Sequence, residues 1–233
     1  MEKSTKIKKE KSRKVSSGPL REKERTKEKL ITAVGKVLQK NGYAGLNVAS
    51  VSKAAGLDRK LVYSYFGTLN NLVETFLRQK DHWNNKAKLE INRLEGNPQT
   101  IDAEAVSALL LGQFEAMLGD EVLQKIIHWE IGEKNDILQK LADSREEMAE
   151  RLLKYLDPHF DQSSIDLRAI LALQVGGLYY LSLHGASNGS TFCGIKTNEP
   201  DGRTRIEDAL QWIIKNSFEK ADFKNSGQYM AQS

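Results

Sequence analysis

Cysteine, proline and aromatic residues are scarce in this sequence of 233 residues. The single cysteine, Cys193, excludes an internal disulfide framework and is typical of a reducing compartment. Its polar surroundings, rich in Gly, Ser and Asn, favour an incidental surface thiol over a redox sensor, which would need an electropositive pocket or a resolving partner. Only 4 prolines and an aromatic content of 7% agree with a mostly helical protein.

Long apolar runs are also lacking. The most apolar stretch, residues 169–183, contains Gln174 and is shorter than the ~20 residues that a membrane-spanning helix needs. The charged N-terminus has no apolar core of the kind a secretory signal requires. We therefore expect a cytoplasmic protein that does not enter a membrane.

Charge is distributed unevenly along the chain. The net charge is +4, yet residues 1–29 contain twelve Lys/Arg and five Asp/Glu, so this segment carries +7 and the remainder −3. A basic end on a mildly acidic chain suggests a polyanion-binding N-terminus, although a solvated tail without a partner has the same composition. Because residues 1–19 have almost no large apolar groups, we predict a disordered basic tail there.

Apolar residues recur at helical spacing through most of the remaining chain, without convincing strand patterns or repeats. The first helix is predicted to begin near Thr26 and to end at Asn41-Gly42. A pair of short helices reaches Phe66, and one long helix runs from about Leu69 to the Leu94 region. Further helices are predicted at 101–118, 121–134, 136–156 (closed by Asp157-Pro158), 164–187 and 205–221, with an exposed loop at 187–204. Residues 130–150, charged and interleaved with apolar positions, are interpreted as the solvent face of an amphipathic helix.

The pair of short helices predicts a helix-turn-helix. Gly56 permits the turn, and Val51 and Val62 lie where they would lock the helices together. Asp58 is expected to cap the second helix. The outer face of that helix offers groups that bond guanine or phosphate, namely Arg59, Lys60, Tyr63, Ser64 and Tyr65. By spacing alone, a helical hairpin with a charged solvent face remains the alternative.

Residues 26–80 resemble the DNA-binding domain of the TetR family of bacterial transcriptional regulators. The matching runs are GYAGLNV from Gly42, VSKAAGL from Val51 and LVYSYF from Leu61, and Tyr63-x-Tyr65-Phe66 followed by a capped helix is the most specific part. The resemblance implies an all-α fold, with a three-helix DNA-binding domain at 20–68 and a larger helical effector-binding and dimerisation domain at 69–233.

Carried over by position, the resemblance implies DNA contacts from seven residues. Phosphate contacts would come from Asn47, Tyr63, Tyr65 and Thr68, and base-edge contacts from Arg59, Lys60 and Ser64. The chain departs from the family at several positions: Asn47 replaces a usual Thr, Ser52 a usual Ala, Lys60 a small residue, and Leu69 a frequent phosphate-binding Lys. Lys60 and the basic tail are hypothesised to compensate for that missing lysine.

A single helix-turn-helix buries too little surface for a sharp sequence preference, so a two-fold dimer on palindromic double-stranded DNA is expected. The helix at 164–186 is apolar nearly all round, and the helix at 205–221 has one apolar stripe. Packed as pairs, the two would form an intersubunit four-helix bundle, as the resemblance also implies. Burial within one subunit is the alternative.

The resemblance further implies an unknown small-molecule effector, apolar or amphipathic, that releases a repressor from its operator. Aromatic and polar residues of the central helices are candidates for its pocket, namely Trp83, Phe114, Met117, His128, Trp129, Tyr155, Tyr179, Tyr180 and His184, although aromatics at helical spacing more often form core. No metal-ligand spacing, nucleophile motif or phosphate-cradling loop is present, so we expect no metal, no cofactor and no enzyme activity. A DNA-binding regulator whose C-terminal domain binds a protein partner and no small molecule remains open.

Overall fold

The protein is described from a computed structural model that covers residues 18–80, 82–161, 163–189 and 191–230. The predicted basic tail at 1–19 thus lies almost entirely outside the described residues. Helices account for most of the described chain, with the bounds α1 Pro19–Asn41, α2 Val48–Ala55, α3 Lys60–Phe66, α4 Leu69–Lys80, α5 His82–Gly96, α6 Ala103–Gly119, α7 Glu121–Gly132, α8 Asp136–Phe160, α9 Leu167–Asn188 and α10 Pro200–Met230. Short 3-10 turns precede α2 at Tyr43–Gly45 and α6 at Pro98–Thr100. The all-α prediction is confirmed.

The N-terminal helices α1 to α4 form a head around one apolar cluster. The predicted inner face of α1 is buried there, with Leu30 and Val34 fully enclosed. Residues of two later helices join the same cluster, Ile126 and Trp129 from α7 and Leu138 and Leu141 from α8. The head is therefore packed directly onto the body of the protein.

The body is built around α6, which packs against α5, α7, α9 and α10. Its apolar residues Leu110 and Phe114 lie in a second cluster with residues of α8, α9 and α10. The side of α9 that faces α6 is buried, as Leu178 shows at 3% exposure. The opposite side of α9 has no cover within the described chain.

Two predicted helix ends are wrong. The first helix begins at Pro19, not near Thr26, because a proline is favourable in the first turn, where its missing N–H costs nothing. Thr26 lies inside the helix, and its hydroxyl donates a hydrogen bond to the Glu22 carbonyl (2.8 Å). Helix α8 continues through Pro158 to Phe160, which is buried in the body cluster and holds the last turn in place.

Other predicted boundaries shift as well. The long helix predicted from Leu69 is described as two, α4 and α5, with residue 81 outside the description. The predicted loop at 187–204 is shorter, because α9 ends at Gly189 in the left-handed conformation and α10 already begins at Pro200. The segment between them is anchored by Thr197, which is buried and donates a hydrogen bond to the Leu181 carbonyl (3.1 Å).

Helix α9 is also more apolar than the sequence window suggested. By length and composition alone, Leu167–Ser187 would suffice to cross a membrane, with a mean hydropathy of 1.2, so the expectation that the chain holds no such stretch is wrong. This stretch is longer than the fifteen-residue window because it also takes in Arg168 and His184, with Leu167 before them and Gly185, Ala186 and Ser187 after. Only 17% of this stretch is buried within the described chain. Most of the apolar stretch of α9 is therefore left for contact with another molecule.

Candidate nucleic-acid interface

The turn between α2 and α3 has the geometry of a helix-turn-helix. Gly56 is left-handed (φ 66°, ψ 36°), a conformation that costs glycine little, and the Leu57 N–H donates to the Ser52 carbonyl at 3.0 Å. Val51 of α2 and Val62 of α3 are both fully buried in the head cluster. The residues predicted to hold the motif together do so, and α3 is fixed rigidly on the head.

The outer face of α3 is free to meet a partner. Arg59, Lys60, Tyr63 and Ser64 are exposed, and 57% of Tyr63 is accessible to solvent. Asp58 accepts a hydrogen bond from the Lys60 N–H (2.7 Å), the first N–H of α3, as expected of a residue that caps this helix. Two cations and two hydroxyls therefore lie along one surface, which suits an anionic duplex.

Tyr65 differs from its neighbours because it is half-buried against the head cluster. The ammonium of Lys23, in the first turns of α1, lies 5.9 Å from the centre of the Tyr65 ring, a cation–π distance. Sequence reasoning missed Lys23 because it placed the start of α1 too late. Lys23 is thus a further cation beside the outer face of α3.

Asn47 and Thr68 are exposed caps at the N-termini of α2 and α4. The Asn47 side-chain oxygen accepts the Ser50 N–H (2.9 Å), and its amide nitrogen donates to the Gly45 carbonyl (3.3 Å). The Thr68 hydroxyl accepts the Asn71 N–H at 3.1 Å. Both residues therefore stand at helix N-termini, where backbone N–H groups and the helix dipole favour phosphate.

The start of α4 explains the leucine at position 69. Leu69 is half-buried against the head cluster, where a charged side chain would be costly. Asn71, two residues later, donates from its side chain to the Phe66 carbonyl (2.8 Å) and so ties the end of α3 to α4. Asn71 is a positioning residue that the sequence pattern did not single out.

The predicted effector residues are distributed over three apolar clusters and the surface. Phe114 and Met117 are fully buried in two different clusters, and Trp129 belongs to a third, that of the head. His128 and Tyr155 are exposed, while the side chain of Trp83 lies outside the description. Tyr179 accepts a hydrogen bond from the Gln113 side chain (2.8 Å), and His184 stacks on Tyr180 with 5.6 Å between ring centres. Most of these residues pack as core or lie on the surface, and their role as effector contacts stays a prediction.

A cavity does exist elsewhere in the body, between α4, α5 and α8, with a volume of about 390 Å³. It is lined by Glu74, Leu77, Arg78, Lys88, Ile137, Lys140, Leu141, Ser144, Glu147, Met148 and Arg151. Lys140 and Glu147 belong to the charged run that the sequence suggested was a solvent face. Among the described residues no group of three or more His, Cys, Asp or Glu side chains is placed to hold a metal ion.

Helices α9 and α10 expose an apolar surface, which we call the α9/α10 face and define by Leu173, Tyr180, Trp212 and Ile213. Leu173 is 78% exposed and Trp212 66%. A methyl group placed on Gly176 or Gly177 would meet no atom within 4 Å, so nothing in the described chain approaches the middle of α9 on this side. Large exposed apolar patches of this kind mark interaction sites.

Comparison with solved structures identifies the architecture. The fatty acid degradation regulator FadR from Bacillus halodurans superposes with a TM-score of 0.59 at 17% identity, over 79% of this chain and 97% of that one. A TetR-like transcriptional regulator from Rhodococcus sp. RHA1 gives 0.57 at 15% identity, over 80% of this chain and 93% of that one. The fold is that of the TetR family of transcriptional regulators.

A third structure with this TetR fold is FadR from Bacillus subtilis in complex with stearoyl-CoA, with a TM-score of 0.53 at 17% identity, over 82% of this chain and 98% of that one. No protein-family model and no curated protein matches the chain. The fold is therefore the one that the resemblance of residues 26–80 implied.

Proposed function

We propose that this chain is a dimeric, sequence-specific transcriptional regulator of the TetR family that binds a palindromic operator through α3. The exposed row of Arg59, Lys60, Tyr63 and Ser64 on a rigidly held α3 is the observation that carries this proposal. A major groove admits a helix of this width, and Arg pairs bidentately with guanine. Asn47, Thr68 and Tyr65 flank the row as phosphate contacts.

The dimer is formed through the α9/α10 face. Only 17% of the apolar stretch of α9 is buried within the described chain. In a two-fold dimer, the α9/α10 face of a second copy packs against this stretch and buries it. Gly176 and Gly177 allow the two copies of α9 to approach closely. This assembly gives the long apolar stretch of α9 a role in a cytoplasmic protein, with an intersubunit four-helix bundle in place of a membrane span.

Repression and release by a small amphipathic effector complete the proposal. FadR from Bacillus subtilis, which shares the fold, was solved with stearoyl-CoA, and a ligand with charged and apolar parts suits a body that combines both kinds of surface. Binding in the body changes the spacing of the two heads, and affinity for an operator with fixed half-site spacing falls.

The test is selection of bound duplexes from a random pool by the full chain. We expect a palindrome whose half-site centres lie about one DNA turn apart. Arg59→Ala is then expected to weaken binding to that duplex by about 10- to 100-fold, the value of one bidentate base contact. Lys154→Ala removes the same charge from an exposed position on α8 and serves as the matched control.

Recovery of no common sequence, or equal losses for Arg59→Ala and Lys154→Ala, would overturn the proposal. The first result would mean that the chain does not read sequence. The second would mean that α3 contributes only charge.

A further inference from the structure

The cavity between α4, α5 and α8 has an excess of positive charge. Four cations line it, Arg78, Lys88, Lys140 and Arg151, against two carboxylates, Glu74 and Glu147. Lys88 and Lys140 are exposed to solvent, so an anion from solution can reach both of them.

Ion pairs within the described chain engage only two of these four cations. Arg78 pairs with Glu74 (2.9 Å), and Arg151 is held by Glu95, which lies outside the lining. Lys88 and Lys140 make no ion pair or hydrogen bond with any residue in the described chain. Two ammonium groups on facing helices, α5 and α8, are thus available to an anion.

The remaining wall of the cavity is apolar. Leu77, Ile137, Leu141 and Met148 contribute hydrocarbon surface on the α4 and α8 sides. The volume of about 390 Å³ lies within the range of small-molecule sites. Cations together with an apolar wall suit a ligand that is itself divided into an anionic head and an apolar segment.

The position of the cavity couples it to the head. Leu77 and Leu141 line the cavity and also belong to the head cluster. Helix α4 packs on α1 and α3 within the head and on α8 within the body. A ligand in the cavity therefore touches the helix that carries α3, so its binding energy can favour one head position over another.

We propose that this cavity is the effector site and that its ligand is an amphipathic organic anion. The carboxylate or phosphate head is bound by Lys88 and Lys140, and an apolar segment lies on Leu141 and Met148. This inference rests on the proposed function in that it assigns the effector's site and chemical class. It places the effector at residues other than the aromatic ones that the sequence suggested.

Isothermal titration calorimetry of the full chain tests it, with octanoate, octyl phosphate, inorganic phosphate and 1-octanol below their aggregation limits. We expect saturable binding of octanoate, octyl phosphate or both, and the tighter of the two identifies the head group. The variant Lys88→Gln/Lys140→Gln should lower that affinity by about tenfold or more, because each lost charge-assisted bond costs about a factor of ten. The control, Lys86→Gln/Lys154→Gln, removes two exposed lysines from the same helices outside the lining, and its affinity should be unchanged.

Three results would overturn the proposal: no saturable binding of either octyl anion, equal binding of 1-octanol, or equal binding of inorganic phosphate and octyl phosphate. Equal loss in the two double variants would do the same. Calorimetry needs no DNA, so the two proposals fail separately. If the chain binds a palindrome and no octyl anion, only the proposed effector site is refuted. If it binds an octyl anion and no DNA, the proposed regulator function is refuted.

Discussion

The ring of Trp129 in α7 stacks face to face on the ring of Tyr43, which precedes α2, with 5.7 Å between ring centres and 7° between ring planes. Glu133, at the end of α7, hydrogen-bonds Tyr43, and its negative charge raises the pKa of the Tyr43 phenol. Gln39 of α1 donates to Glu121 at the start of α7 (2.6 Å). Helix α7 is therefore joined to the head at both of its ends.

Loss of the Trp129 ring should separate the head from the body. Trp129→Ala is expected to lower the free energy of unfolding by about 3–5 kcal/mol, as for other large buried aromatics. Trp129→Phe should cost much less, because the ring stays and the buried indole N–H, which has no hydrogen-bond partner within the described chain, is removed. Urea unfolding measures both.

His128→Ala is the control for this pair, since His128 is the exposed neighbour of Trp129 on the same helix. It should change stability by no more than about 0.5 kcal/mol. Equal stability of Trp129→Ala and wild type would mean that the stack does not hold the head.

The sequence predicted the head far better than the body. Gly56, Val51 and Val62 could be assigned because a tight turn between two short helices allows few arrangements, and the same residues pack together in the structure. The proposed effector site could not be assigned in this way. Helical periodicity tells which side of a helix is apolar and not which helix covers it, so Trp129 was a pocket candidate although Tyr43 covers it.

Charged residues show the same limit. Lys140 and Glu147 are exposed, as their spacing predicted, but that spacing could not show that α4 and α5 cross α8 beside them and form a cavity there. Lys23 was missed because the sequence placed the start of α1 seven residues too late, so its nearness to Tyr65 depends on helix length and tertiary packing together.

Ser52 and Ser50 should respond in opposite directions to the same substitution. Ser52 is 3% exposed and its hydroxyl has no partner within the described chain, so Ser52→Ala should raise the free energy of unfolding by about 1 kcal/mol. The Ser50 hydroxyl donates to the Gly45 carbonyl (2.6 Å) and accepts the Asn47 N–H (3.2 Å), so Ser50→Ala should lower it by about 1 kcal/mol. Urea denaturation of the two variants measures both changes in the free energy of unfolding. Destabilisation by Ser52→Ala would contradict the prediction, because it would show that the Ser52 hydroxyl has a hydrogen-bond partner.

A charge on the α9/α10 face should prevent dimerisation. Leu173→Glu and Trp212→Glu place carboxylates on exposed apolar positions of the two helices, and we expect at least a tenfold weaker dimer, since buried unpaired charges cost more than 1.4 kcal/mol. Sedimentation equilibrium measures the dissociation constant.

Leu89→Glu is the matched control for the dimer. Leu89 is 71% exposed on α5, outside the α9/α10 face, and its substitution should leave the dissociation constant unchanged. If Leu89→Glu alone dissociates the dimer, a different face forms it.

Stability should fall at acidic pH through the ion pairs of Arg168. Its guanidinium contacts Glu150 (2.8 Å) and Asp157 (2.7 Å), and these hydrogen bonds lower the pKa of both carboxyls. A carboxyl whose folded pKa lies below its unfolded value adds stability above the unfolded pKa, and this stability is lost as the pH falls through the folded pKa. The loss should thus begin at about pH 4, where such carboxyls titrate in unfolded chains.

Thermal unfolding between neutral pH and acid tests this link between α8 and α9. Arg168→Met should flatten the dependence of Tm on pH in the acidic range, with a small effect because all three side chains are partly exposed. Arg21→Met, which removes an exposed arginine of α1, should leave the acid dependence as in wild type. Parallel curves for wild type and Arg168→Met would exclude a role for these pairs.

The most direct test of the account is the number of protomers bound to the selected duplex, measured by sedimentation velocity as the full chain is titrated onto it. We expect two protomers on each palindrome, one for each α3, and no stable complex with a duplex that carries a single half-site. One protomer per palindrome, or equal binding of the palindrome and a scrambled duplex, would contradict the account.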